Sequence, residues 1–190
     1  MKTSILPVIL FSLVAIASFS VWAFGARVFP SEVTMYAAIA IIFLGFGGLA
    51  LLPMSGIPKD QWLPFCLTFA AGFVLYSIIW SVFWFSLPIT FGEIMGSALG
   101  LLCFSILIRK SLKINISILT ITSILFLWHS LGYYTGGFTY AALQNRGPAG
   151  IELSASPSTI RTLARLSWGL FYGIGLGIGL TRILHLSRQS

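Results

Sequence analysis

The chain has 190 residues, of which 57% are hydrophobic and 8% charged, with eleven Lys and Arg against four Asp and Glu. A soluble domain carries about 25% charged residues, so this composition excludes a water-soluble globular protein and leaves hydrocarbon as the main solvent. The basic excess does not indicate nucleic acid, because the bases sit at the ends of apolar runs, where they meet lipid headgroups and set orientation.

A spanning helix takes roughly 20 apolar residues. Six runs qualify in chain order: Ile5–Phe24, Val33–Leu52, Trp62–Phe85, Ile89–Ile108, Ile114–Tyr134 and Thr162–Leu184. Between them lie Pro, Gly or charge, as at Phe29-Pro30-Ser31-Glu32 and Ser86-Leu87-Pro88. The pattern predicts an all-α integral membrane bundle of about six transmembrane helices with short loops, a single domain over 1–190. The first run, with Lys2 before it and Val21-Trp22-Ala23 at its end, also fits a cleavable secretory signal. Its length of about 20 residues is long for a signal core and favours a retained span.

Counting bases on alternate sides puts Lys2, Lys59, Arg109, Lys110, Lys113, Arg182 and Arg188 on one side and Arg27, Arg146, Arg161 and Arg165 on the other. This asymmetry predicts both termini in the cytoplasm, in a bacterial inner membrane. The longest connection, 136–158, then lies outside and contains Tyr140, Gln144, Asn145, Arg146 and Glu152. Its length suits a lid or contact surface as well as a plain connector. Ser156-Pro157 has the form of an N-cap followed by Pro at the first helical position. The sequon Asn115-Ile116-Ser117 falls on the cytoplasmic side and is expected to be unused.

Gly92, Gly96 and Gly100 recur every four residues in the fourth run, and Gly169, Gly173 and Gly177 do so in the sixth, flanked by Gly175 and Gly179. Small residues at this spacing form a flat ridge that admits a second helix backbone in lipid. The ridges suit packing of spans four and six within the chain, or a subunit interface in a homo-oligomer.

Ionisable residues inside a span cost about 2.5–3.5 kcal/mol on insertion scales and mark functional sites. Glu93, His129, Arg161 and Arg165 fall at one predicted depth, in the outer half, on three different helices. Ser97 lies one turn below Glu93, and Tyr76, Ser77, Trp80, Ser81 and Trp84 approach the same depth. Positive charge at the start of a helix opposes the macrodipole, so Glu93 is the expected partner of Arg165 first and Arg161 second. As a ligand- or ion-binding set, Arg165 would attract an anionic group, Glu93 would hold or gate it, and His129 would titrate near neutrality. The alternative is a structural ion pair.

Metal ligands cluster, whereas His185 is predicted at the opposite end from His129, and Cys66 and Cys103 are isolated in apolar runs, as small buried hydrophobes are. There is no GxGxxG, no P-loop and no pair of intramembrane histidines for haem, so no cofactor is implied. Gly96-Ser97 and His129-x-x-Gly132-x-x-x-Gly136 resemble the serine and histidine segments of rhomboid proteases, which would imply a Ser97/His129 dyad. The serine side departs from that family's GxSx, and here the two residues lie on consecutive helices. In size and in the spacing from Phe46-Gly47-Gly48 through Arg109-Lys110 to Leu131-Gly132, the chain also resembles small bacterial acetate or urea channels, which assemble as rings. The diagnostic Asn-Pro-Ala-Pro segment of the acetate type is absent.

These readings leave three expectations. The first is a small-solute, proton or ion pathway or binding site in the outer half of the bilayer. The second is an accessory subunit contacting helices, lipids or pigments in a larger membrane complex. The third is an intramembrane enzyme acting on a lipid. Expected partners are membrane lipids, further copies of the chain or other membrane subunits.

Overall fold

The computed structural model describes residues 5–25, 28–54, 56–144 and 154–188. Lys2, Arg27, Asn145, Arg146 and Glu152 lie outside the described residues. The helices are α1 Leu6–Phe24, α2 Glu32–Leu51, α3 Trp62–Ser86, α4 Ile89–Ser111, α5 Ile118–Leu143 and α6 Pro157–Ser187. Five of the six are long and apolar enough to cross a membrane. The other, α5, is 26 residues long but carries His129, Tyr133 and Tyr134 in its middle, which lowers its hydropathy without shortening it. The chain is an all-α membrane bundle.

Local chemistry sets where three helices begin. Ser31, Ser117 and Ser156 each accept a hydrogen bond from the backbone N–H three residues on, at Thr34, Thr120 and Thr159. This side-chain cap satisfies donors that a helix start leaves orphaned. Pro157 stands at the first helical position, where its missing N–H costs nothing, and α6 therefore starts about one turn before the apolar run. The two-residue link Leu87-Pro88 forces α3 and α4 into an antiparallel hairpin.

The helices form a closed ring. Each packs against its neighbours in sequence, and α6 closes on α1. The most extensive interfaces are α3 on α4, α5 on α6 and α1 on α6, and glycine makes all three. A Cβ on Gly96 would lie 2.9 Å from the Trp80 Cα of α3, and one on Gly132 would lie 2.5 Å from the Phe171 carbonyl oxygen of α6. A Cβ on Gly173 would lie 2.8 Å from the Ser12 Cα of α1. Both ridges are thus buried within the chain: that of α4 faces α3, and α6 turns Gly173 to α1 and Gly175 to α5. The first helix is a wall of this ring, with Phe11, Ala15 and Ser18 fully buried.

The centre of the ring is filled by aromatic side chains. Phe11, Phe65, Phe69, Phe73 and Phe104 are essentially inaccessible. Phe73 lies 4.7 Å from both Phe69 and Phe104, ring centroid to centroid. The outward faces carry large exposed apolar residues such as Ile41, Leu67, Phe85 and Leu119, as a lipid-facing surface requires.

The connection between α5 and α6 is shorter than the sequence suggests. Helix α5 continues through Leu143 instead of ending near Tyr134, so Gly136, Thr139 and Tyr140 are helical. Tertiary contacts extend it: Gly136 abuts Trp168, and the Tyr140 ring stacks on Trp22 at 5.8 Å.

Steric intolerance follows from this geometry. Gly132→Leu and Gly96→Leu should each destabilise the fold by about 2–3 kcal/mol and lower the melting temperature by about 5–10 °C. At Gly45 no atom lies within 4 Å of an added Cβ, and Gly45→Ala should leave stability unchanged or slightly raised. Thermal unfolding in mild detergent checks this, and equal stability of all three variants would contradict it.

Candidate functional site

The candidate site sits where α3, α4 and α5 meet above the aromatic centre. Close packing of Gly92 and Gly96 against α3 leaves the neighbouring Glu93 and Ser97 to turn along the flank of α4. Glu93 accepts a hydrogen bond from the Tyr133 hydroxyl at 3.0 Å. Ser97 is buried and comes up beside the Tyr76 hydroxyl.

His129 lies deepest and is almost wholly buried. Its Nε2 is 2.8 Å from the Tyr76 hydroxyl. Its ring stacks on Tyr133, interplanar angle 11°, and meets Tyr76 and Tyr172 edge-on, each at 5.5 Å. Nδ1 has no partner. If the Tyr76 hydroxyl donates to Nε2, Nδ1 carries an orphaned proton; if Nε2–H donates, Nδ1 keeps a bare lone pair. The serine–histidine dyad that the rhomboid resemblance implies is not formed, because Tyr76 occupies Nε2.

The structure does not pair Glu93 with Arg165. Helix α4 borders α3 and α5, whereas α6 borders α5 and α1, so the two charges lie on opposite sides of α5. The rings of Tyr133 and Trp168 stand at that boundary, 5.7 Å apart. Arg165 instead donates from Nη1 to the Trp22 carbonyl at 2.6 Å, with its guanidinium 4.6 Å from the centre of the Trp22 ring. A carbonyl and an aromatic face together supply the negative potential that the sequence reading sought in a carboxylate. Arg161 is exposed, one turn nearer the start of α6. The five predicted residues thus fall into a joined group, Glu93, Ser97 and His129, and a separate arginine corner.

Tyr133, Tyr172, Trp22 and Trp168 are parts of the site that sequence reading missed. A usable signal exists for one of them: Tyr133 follows His129 by four residues and shares its face. Trp80 and Trp84, which were anticipated, stack at 5.6 Å, and both have buried indole N–H groups without an acceptor. Ser77, also anticipated here, is exposed on the outer face of α3. Among the described residues no group of three or more His, Cys, Asp or Glu could hold a metal ion. Comparison with protein-family models, curated proteins and solved structures finds no match.

A double-mutant cycle separates the two groups. Glu93→Ala with Tyr133→Phe should show a coupling of about 1–2 kcal/mol in unfolding free energy. Glu93→Ala with Arg165→Gln should be additive within about 0.5 kcal/mol. Strong coupling in the second pair would restore the ion pair and overturn this geometry.

Proposed function

We propose that the protein binds a small hydrogen-bond-accepting solute or an ion in the outer half of the bilayer, and serves its passage. One observation carries this reading: the buried indole N–H groups of Trp80 and Trp84 and the Nδ1 of His129 have no protein partner. They belong to one connected cluster with Tyr133 and the membrane-embedded carboxylate of Glu93. A buried donor without an acceptor costs about 1–3 kcal/mol, and a bound acceptor recovers that loss. Such a cluster is expected at a polar ligand site and not in a purely structural core.

In this reading the indoles donate to the ligand, Glu93 and Tyr133 gate it, and His129, Tyr76 and Ser97 form the floor. The exposed Arg161, at the same end of the bundle, adds positive potential, while Arg165 stays bound to Trp22. Phe73 and Phe104 close the centre of the ring beneath, so passage requires the aromatic side chains to move. The end carrying Lys59, Arg109, Lys110, Lys113, Arg182 and Arg188 would face the cytoplasm, placing the site on the outer face of a bacterial inner membrane. A second reading, the accessory subunit, draws on the internal pairing of Tyr76 with His129 and of Tyr133 with Glu93. Under it, partner chains co-purify in fixed stoichiometry and the cluster takes no solute.

Titration of the purified protein with formate, acetate and chloride, read by tryptophan emission, tests the proposal, alongside uptake of the same solutes into proteoliposomes. At least one solute should change the emission saturably, and Trp80→Phe with Trp84→Phe should abolish the change. Glu93→Gln should alter uptake by about tenfold, one lost charged hydrogen bond in the pathway. Absence of any saturable change, with uptake equal to protein-free liposomes, would overturn the reading.

A further inference from the structure

Lys59, Arg109, Lys110, Lys113, Arg182 and Arg188 lie at the end of the bundle opposite Glu93, and one group of them lines a cavity. Helix α4 ends in a reversal: the Ile114 N–H bonds back to the Arg109 carbonyl at 3.0 Å, and Lys113 adopts a left-handed φ of 51°. That backbone favours glycine or asparagine, yet the chain places a lysine there. The Arg109 Nε–H donates to the Ile116 carbonyl at 2.8 Å, which anchors the guanidinium across the loop. Arg109, Lys110, Lys113 and Asn115 then line an open cavity of about 590 Å³, whose remaining wall includes Ile106 and Ile118. No acidic residue lines it.

We propose that this corner between α4 and α5 binds the phosphate of an anionic phospholipid. Three cationic side chains and an amide offer only donors, except for the amide oxygen, and so select a phosphate group. The isoleucines on the membrane side of the same cavity offer the start of a path for an acyl chain. Basic pockets between transmembrane helices recognise lipid headgroups in this way. The cavity volume falls within the range of small-molecule sites. The sequon residue Asn115 therefore acts as a headgroup contact.

Native mass spectrometry and thermal unfolding of the delipidated protein test the assignment, with dioleoylphosphatidylglycerol, dioleoylphosphatidylcholine and inorganic phosphate as probes. The phosphatidylglycerol adduct should dominate and raise the melting temperature. Each base is worth about fivefold in affinity near an anionic lipid. Lys110→Gln with Lys113→Gln should therefore weaken retention by about 20–30-fold at two such bases. Both side chains are exposed, so this variant keeps the fold. Lys59→Gln removes a charge at the same end outside the cavity and should change retention less than twofold. Equal loss in Lys59→Gln, or equal retention of the two lipids, would overturn the site. Stabilisation by inorganic phosphate equal to that by phosphatidylglycerol would assign it to a free phosphate and overturn the lipid.

Discussion

The approach of helix backbones at glycine is the constraint on which the rest of this structure depends. In lipid, apolar side chains gain little by leaving one hydrocarbon environment for another, so association rests on dispersion contacts and hydrogen bonds. Gly96 against Trp80, Gly132 against Phe171 and Gly173 against Ser12 bring three helix pairs together backbone to backbone. With those interfaces made, α2 bridges α1 and α3, and α4 meets α5, closing the ring. The aromatic centre then fills a space whose width the glycines have set.

Within that frame the polar groups divide according to which helices the ring makes neighbours. Glu93 and Arg165 are electrostatically suited to each other, but α4 and α6 are each next to α5 and not to one another. Each charge therefore finds a neutral partner, a phenol hydroxyl for Glu93 and a backbone carbonyl with an indole face for Arg165. Hydrogen bonds of this kind hold a partly buried ion while leaving its charge uncancelled, and the Arg165 Nε–H is left without an acceptor.

The number and type of the helices were legible in the apolar runs, because a span needs a length of hydrocarbon that nothing else in a short chain supplies. The cap of α6 was legible in Ser156-Pro157, and the glycine ridges were legible as close-packing surfaces. Which helix each ridge would face was not, since spacing records a flat surface and not its partner. The end of α5 was misread for a related reason: Tyr140 and Gly136 look like loop residues until Trp22 and Trp168 are known to cover them. That Glu93, Ser97 and His129 lie in one neighbourhood was legible from depth, but they meet only through Tyr133 and Tyr76. Arg165 lies apart from them, because depth carries no information about position around a ring.

The closure of α6 on α1 has a consequence for how the molecule is made. Residues such as Ser12 and Ala15 find their close partner, Gly173, only in the last helix of the chain. During synthesis α1 enters the bilayer ahead of α6 and must persist there while four further helices are threaded, with only α2 beside it among its final neighbours. Its buried serines, Ser12 and Ser18, meanwhile bond to their own helix at the Val8 and Val14 carbonyls. They need no partner from elsewhere, so the helix can wait in lipid without an unsatisfied hydroxyl. The ring thus closes only when α6 meets α1, and a chain that stops before α6 leaves an open arc with the Ser12 and Ala15 face of α1 uncovered.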